Sequence, residues 1–332
     1  MQEIVHTSEY ANFLRHLFPA FRTILLRSPA THPADGVDVR FRHLVLEIMN
    51  RLPNNEVLRP YAPELLRIAT ETLSRDTEEN ALTCLRIIFD LHKNFRPALE
   101  GEVQCFLDLV QRIYRLLPTS INKAFFISLP DQRMLLIIFF FNVFSFLGSP
   151  AVTASGVFNR PDHLQKCEAF SVTRTIPEQT VTLESAPRAQ SAAAISALQG
   201  LDSFKVLTEC PLIVMLLFQL YPKYIQENIP LLTPLMMGGL ALHAPILAHK
   251  LQRNRYKEFI ACQVKTLSFL TYLLRGFSEL MKPYEEAISK AVITLMIACP
   301  GDAISTRKEL LVATRHILAT EFRRGFYQHI DT

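Results

Sequence analysis

Cys299 and His316 are the residues whose types could support covalent chemistry in the C-terminal part of the sequence. Cys299 precedes an amphipathic stretch and His316 lies within it, as a nucleophile and its general base can be arranged. Such a pair also needs a third group that orients the base and a loop that stabilises an oxyanion, and the sequence shows neither. A thiol packed in a core and a histidine at a helix edge are therefore the favoured interpretation.

Metal and phosphate sites are disfavoured by the spacing of histidines and glycines. His243 and His249 have no acidic or cysteine partners at metal-ligand spacing. Gly238 and Gly239 stand inside an apolar helical stretch, whereas a phosphate-binding loop is rich in glycine and precedes a helix. We expect neither a metal nor a cofactor.

Three acidic residues close together resemble a catalytic carboxylate cluster at first sight. Asp76, Glu78 and Glu79 lie at the predicted start of a helix, where negative charge interacts favourably with the helix dipole. This structural role is the simpler explanation. The sequence thus offers no catalytic residue, and we expect the chain not to be an enzyme.

Surface charge is the remaining candidate for function. Basic residues make the C-terminal third positive, with aliphatic and aromatic residues nearby; they include Arg253, Arg255 and Lys257. A concave helical surface of this kind could bind acidic, hydrophobic peptide segments through apolar anchoring and electrostatic steering. A solvated helix face is the alternative, because charged stripes are common on exposed helices. The candidate partner-binding residues are Arg307, Lys308, Arg315, Arg323 and Arg324.

Composition bounds the class of protein. The 332 residues are 49% hydrophobic and 20% charged, which is typical of a globular chain. The net charge of +4 is small and the Lys and Arg residues are dispersed, so we expect no direct nucleic-acid binding. The six cysteines are scattered without a Cys-x-x-Cys pair, as in proteins of a reducing compartment.

Membrane insertion and secretion are also disfavoured. The most apolar run, residues 134–147 (MLLIIFFFNVFSFL), is shorter than the roughly 20 residues that a transmembrane helix needs. We interpret it as a helix buried on several sides. The N-terminal sequence MQEIVHTSEYANF has neither the basic nor the apolar region of a signal peptide.

Residues 298–326 show how the elements are built. Thr306 is the predicted N-cap, and Glu309 could complete a capping box. Arg323 and Arg324 are predicted in the last turn, and Gly325 is predicted to end the helix in a left-handed conformation. Apolar and small residues recur at helical spacing and predict one buried stripe: Leu310, Leu311, Thr314, Ile317, Leu318 and Phe322.

Helical periodicity with proline punctuation predicts a repeat protein. Arg59-Pro60, Arg96-Pro97 and Lys282-Pro283 each precede an acidic and then amphipathic segment. The first two prolines are 37 residues apart, close to the period of HEAT and armadillo repeats. We predict an all-α fold, an α-solenoid of HEAT-like helical pairs in which stacked neighbours complete the core.

The sequence divides into three parts. Residues 1–147 are predicted as HEAT-like helical repeats, and residues 201–332 continue the solenoid. Between them, residues 148–200 contain Ser-Pro, Ser-Gly and Arg-Pro steps and the low-complexity string SAPRAQSAAAISALQG. This composition predicts one long inserted loop that is largely disordered.

Several long strings resemble a known family on both sides of the predicted insert. They are similar to the N-terminal HEAT-repeat region of the TRRAP (transformation/transcription domain-associated) proteins, which are pseudokinases among the phosphatidylinositol-3-kinase-related kinases. Residues 148–200 lack this similarity. The strings are EIMNRLPNNEVLRPYAPELL, ENALTCLRIIFDLHKNFRP, SFKVLTECPLIVMLLFQLYPKYIQENIPLL, QVKTLSFLTYLLRGF and ISTRKELLVATRHILATEFRRGF.

The resemblance implies a giant scaffold subunit of SAGA- and NuA-type histone acetyltransferase complexes. Its implied partners are transcriptional activators with acidic, hydrophobic segments and other subunits of those complexes, and its implied location is the nucleus. The family's FAT and kinase-like domains are absent here, and the chain contains no Asp-Phe-Gly or His-Arg-Asp string. A generic adaptor or transport solenoid and a piece of an active kinase of the same superfamily remain the alternatives.

Overall fold

The fold is all-α in the computed structural model, which describes residues 9–27, 37–125 and 200–329. These ranges belong to one compact unit. The predicted buried run 134–147 and the predicted insert up to residue 199 lie outside them. The main helices are α1 (Glu9–Leu25), α2 (Val37–Asn50), α3 (Ala62–Arg75), α4 (Glu78–Asn94), α5 (Val103–Phe125), α6 (Phe204–Leu220), α7 (Lys223–Leu240), α8 (Arg253–Gly276), α9 (Glu285–Ala298) and α10 (Ile304–Leu318).

These helices form two layers. The even-numbered helices stack in chain order, with α2 on α4, α4 on α6, α6 on α8 and α8 on α10. The odd-numbered helices form the second layer, and each packs against the even-numbered helix that follows it. Neighbouring pairs share one apolar core, because a single pair cannot bury both of its faces. This arrangement confirms the predicted α-solenoid of HEAT-like helical pairs.

Proline marks the entry to the odd-numbered layer. Arg59–Tyr61 forms a 3₁₀ turn directly before α3, and Lys282–Tyr284 forms one directly before α9. Proline suits this place because the first residues of a helix have no intrahelical partner for their N–H groups. The turn Glu100–Glu102 before α5 also follows a basic-residue–proline step, but Pro97 lies three residues before this turn and not inside it. The basic-residue–proline steps therefore mark the beginning of a helical pair.

The start of α10 differs from the prediction. The helix begins at Ile304, and Thr306 is inside it rather than at its N-cap. Glu309 does not complete a capping box, because it is the sixth residue of the helix and not the third after the N-cap; its carboxylate instead contacts α8. Glu309 Oε1 lies 2.9 Å from Lys265 Nζ and accepts a hydrogen bond from Ser268 Oγ at 3.1 Å.

The predicted stripe and stop of α10 are also partly wrong. Leu310 and Ile317 are buried, but Leu311 is 58% exposed and Leu318 is 44% exposed. The helix ends at Leu318, and Phe322 lies in the 3₁₀ segment Glu321–His329, as do Arg323, Arg324 and Gly325.

The prediction that Gly325 has a left-handed backbone is wrong. Glycine is required there because the chain packs closely on α9. A Cβ atom there would lie 3.0 Å from Ser289 Oγ and 3.1 Å from the Glu285 carbonyl oxygen.

A buried ion pair joins the first two helical pairs. Arg42 of α2 and Asp76, in the turn before α4, are 5% and 3% exposed. Arg42 Nη2 lies 2.6 Å from Asp76 Oδ2 and also donates to the carbonyl oxygen of Leu25 at 3.0 Å. Asp76 Oδ1 accepts from the Thr77 N–H at 2.7 Å. One arginine thereby ties the end of α1 to the start of α4.

Aspartate recurs at the same place in other pairs. Asp76, Asp202 and Asp302 each stand two residues before an even-numbered helix. Asp202 Oδ2 lies 2.8 Å from Lys123 Nζ, and Asp302 Oδ2 lies 2.6 Å from Lys257 Nζ. This repeated aspartate is present in the sequence, where Asp76 by itself indicates only the start of a helix.

Gly200, which was predicted as the last residue of the insert, is buried in the 3₁₀ turn Gly200–Asp202. This turn packs against α3, α4 and α5. The Gly200 N–H donates to the Asp76 carbonyl oxygen at 2.9 Å. The chain therefore rejoins the described fold at the same corner that the buried ion pair holds.

His92 is expected to make stability depend on pH. The side chain is fully buried in α4, and burial lowers the pKa of His92 to about 4. In the unfolded chain the imidazole binds a proton below about pH 6.5, so the contribution of neutral His92 to the free energy of unfolding is fully present above that pH. The free energy of unfolding should fall by about 1.4 kcal/mol per pH unit as the pH decreases from about 6.5 to 4.

Urea unfolding of wild type and His92→Leu across this pH range measures that contribution. His92→Leu should lose the part of the pH dependence of the free energy of unfolding that His92 contributes. The control His249→Leu, at an exposed site, should keep it. Equal slopes in all three proteins would refute the assignment.

Candidate protein-interaction surface

The structure does not bring Cys299 and His316 together. Cys299 precedes α10, and His316 lies twelve residues after its first residue, which corresponds to about 18 Å along the helix. Burial raises the pKa of Cys299, whereas a nucleophilic thiol needs a lowered pKa. Desolvation lowers the pKa of His316, as do Arg275 and Arg315 nearby. This geometry agrees with a structural role for both residues.

The other chemical candidates have structural partners. His243 Nδ1 lies 2.8 Å from the Ala241 carbonyl oxygen, and His249 Nδ1 lies 2.7 Å from that of Ile246. Glu78 accepts hydrogen bonds from Ser203 and Lys205. Within residues 9–27, 37–125 and 200–329, no group of His, Cys, Asp and Glu has the arrangement of a metal site. None of the helices in those ranges is long and apolar enough to span a bilayer.

Two of the basic residues in the C-terminal third form salt bridges between neighbouring helical pairs. Arg253 and Lys257, on the first turns of α8, both contact Asp302 before α10. This carboxylate offsets one of their two positive charges, and the contacts lower the pKa of Asp302. These contacts connect neighbouring helical pairs, and the contribution of Arg253 and Lys257 to a basic binding surface stays a prediction.

The candidates Arg307 and Arg315 lie on the outer face of α10, on either side of Leu311. The three residues are four positions apart and so share one helix face. Ile304 and Leu318 extend this face, and both are exposed, at 64% and 44%. It therefore combines apolar side chains with cations.

The remaining candidates lie elsewhere. Lys308 is exposed beside a hollow of about 660 Å³ between α8 and the start of α10. Arg323 and Arg324 are exposed on the 3₁₀ segment Glu321–His329, which packs on α9 and α10. The five candidate residues thus lie in three places, and their role in partner binding stays a prediction.

A groove on the even-numbered layer was not foreseen from the sequence. It has a volume of about 600 Å³ and runs over α4 and α6, with α2 and α8 at its sides. We call it the even-layer groove; its apolar floor contains Leu82, Leu85, Phe89, Leu212 and Ile213. Sequence periodicity could place these residues on two helices, but it could not place the two helices side by side.

Carboxylates outnumber cations in the even-layer groove by three to two. Its carboxylates belong to Asp90, Glu209 and Glu258, and its cations are Arg86 and Lys205. Lys205 Nζ is shared between Glu78, at 2.7 Å, and Glu258, at 3.3 Å. In the part of the chain that the structure describes, Asp90 and Glu209 form no salt bridge.

Comparison with known proteins decides the family. The chain is 38% identical to the probable transcription-associated protein 1 of Dictyostelium discoideum, over 99% of the chain and 8% of that protein. It is 34% identical to the human transformation/transcription domain-associated protein, again over 99% of the chain and 8% of the relative. This chain belongs to the Tra1/TRRAP family. It spans less than a tenth of the length of these Tra1/TRRAP relatives.

The Tra1/TRRAP assignment has further support. The Tra1 HEAT repeat central region matches residues 255–332, whereas the resemblance above was to the family's N-terminal HEAT region. The Saccharomyces cerevisiae relative, named SAGA complex/NuA4 acetyltransferase complex subunit TRA1, is 27% identical over the whole chain and 9% of its own length. No solved structure matches the chain.

Proposed function

We propose that this chain is a non-catalytic scaffold segment of a transcription co-activator subunit in a SAGA- or NuA4-type histone acetyltransferase complex. The observation that carries the proposal is the match of nearly the whole chain to transcription-associated proteins, one of which is named as a subunit of both complexes. The stacked helical pairs support it, because solenoids present extended surfaces to partner proteins.

The finer parts of this proposal concern the partners, the location and the parent protein. We propose that the segment acts in the nucleus, contacts other acetyltransferase-complex subunits and receives activators with acidic, hydrophobic segments. We also propose that the protein to which it belongs is a pseudokinase, as the family resemblance implies. The names of the relatives support a role in transcription over that of a generic adaptor or an active kinase.

Affinity purification tests the proposed function. The tagged 332-residue chain would be incubated with nuclear extract, and captured proteins would be identified by mass spectrometry. Subunits of an acetyltransferase complex are expected to be enriched over a control solenoid of similar size and charge. Enrichment of transport receptors or of a kinase substrate, with no acetyltransferase subunit, would overturn the proposal.

Charge reversal at three exposed cations of α10 tests activator recruitment. Arg307→Glu, Lys308→Glu and Arg315→Glu together should weaken binding of an acidic, hydrophobic activation peptide by about tenfold, because they replace steering by repulsion. Fluorescence anisotropy at low salt measures the effect where charge is least screened. The control reverses three exposed cations of the other layer, Arg112→Glu and Arg115→Glu on α5 and Lys290→Glu on α9. Unchanged affinity in the α10 variant would refute recruitment at α10.

A further inference from the structure

We propose that the even-layer groove binds an amphipathic helix whose apolar stripe is flanked by lysine or arginine. The inference rests on the proposed scaffold function in one respect, that the groove serves a protein partner. The charge of this partner helix is opposite to that of the acidic segments expected at α10. Shape, charge and position in the stack each support it.

The shape of the groove fits about two turns of helix. Its α4 side runs from Leu82 to Asp90 and its α6 side from Lys205 to Ile213, each about 12 Å at the rise of a helix. Leu85 and Ile213 are buried in the apolar floor, whereas Leu212 of the same floor is 47% exposed. Helical partners insert apolar side chains at positions i, i+3 or i+4 and i+7, which span this distance.

The charge of the groove selects a basic partner. Asp90 and Glu209 border the apolar floor without a salt bridge in the described residues. The cation Lys205 is already shared by Glu78 and Glu258, which leaves Arg86 as the other positive side chain of the groove. Lysine or arginine beside an apolar stripe would therefore meet carboxylates, and an acidic peptide would be repelled.

The position of the groove leaves it accessible in the described part of the stack. The outer face of α10 lies at the edge of the described even-numbered layer, where a further helix could cover it. The groove instead lies across helices that already have even-numbered neighbours on both sides, since α2 and α8 also line it. Additional pairs stacked on the layer would leave its apolar floor open.

Peptide titration into the 332-residue chain tests the inference. The probe is a fluorescein-labelled peptide of about 14 residues with leucines at i, i+4, i+7 and i+11 flanked by lysines, and the comparison peptide has glutamate for each lysine. The basic peptide should bind about tenfold more tightly than the acidic one. Leu212→Asp and Glu209→Lys should each weaken binding of the basic peptide by about tenfold.

Two substitutions on α7, in the other layer, are matched controls. Leu231→Asp changes a leucine that is 51% exposed, and Glu227→Lys reverses an exposed charge. Neither should alter peptide affinity, and circular dichroism should show that all four variants keep their helical content.

Three results would overturn the inference: equal affinity for the two peptides, equal losses in groove and control variants, or self-association of the chain that Leu212→Asp abolishes. The last would make a second copy the occupant. Binding of the basic peptide without acetyltransferase subunits in the affinity purification would overturn the proposed function and leave the groove chemistry standing. Capture of acetyltransferase subunits without binding of the basic peptide would overturn the groove inference and leave the proposed function standing.

Discussion

Replacing Arg42 with methionine should lower the free energy of unfolding by about 3–5 kcal/mol. Methionine keeps much of the aliphatic volume, so the change removes mainly the charge and its hydrogen bonds. Asp76, which is 3% exposed, would then hold a buried carboxylate without its cation. The carbonyl oxygens of Ile24 and Leu25 at the end of α1 would also lose their donor.

Urea denaturation followed by circular dichroism measures this cost. The matched control is Arg75→Met, because Arg75 is largely exposed and contacts Glu71 at 2.9 Å within the same helix. That substitution should cost about 0.5 kcal/mol or less. Adding Asp76→Asn to Arg42→Met should restore part of the loss, since an amide is cheaper to bury than an unpaired carboxylate. A cost below about 1 kcal/mol for Arg42→Met would show that the buried pair does not stabilise the stack.

The fold class could be predicted because solenoid contacts are local. Apolar residues at helical spacing specify the helices, and proline with a preceding basic residue marks the entries to α3, α5 and α9. Most helices then pack on a near neighbour in the chain, so little long-range information is needed to predict the fold class. The exposure of Leu311 and Leu318 could not be predicted, because periodicity shows a face without showing what covers it.

The interaction surfaces were harder to predict than the fold. Lys257 and Lys308 are residues of the same type in the same basic part of the sequence. Nothing in their local sequence shows that Lys257 contacts Asp302 whereas Lys308 forms no salt bridge within the described residues. Asp302 separates their roles, because its carboxylate reaches Lys257 only after α8 and α10 have packed. The even-layer groove depends in the same way on α4 and α6, whose sequences are separated by α5 and residues 126–199. Such juxtapositions are properties of the stack and not of any one segment.

Gly200→Ala should be the second most damaging substitution, with a cost of about 3 kcal/mol or more. A Cβ atom on Gly200 would overlap the Leu73 carbonyl oxygen and lie 2.7 Å from Ala81 Cβ, so the backbone itself would have to move. That movement would disturb the bond from the Gly200 N–H to Asp76, the residue that Arg42 already holds. The two sites should therefore couple, and combining Gly200→Ala with Arg42→Met should cost less than the sum of the separate losses.

Gly238→Ala is the matched control, because nothing lies within 4 Å of a Cβ atom at that position in α7. It should raise stability by about 0.5–1 kcal/mol, as alanine replaces glycine within a helix. The melting temperature and the free energy of unfolding should therefore decrease in Gly200→Ala and increase in Gly238→Ala. Similar behaviour of Gly200→Ala and Gly238→Ala would contradict the close packing at Gly200. Opposite changes in stability would show that the packing of the Gly200–Asp202 turn against α3 and α4 stabilises the first half of the stack. The chain returns to the described fold at this turn.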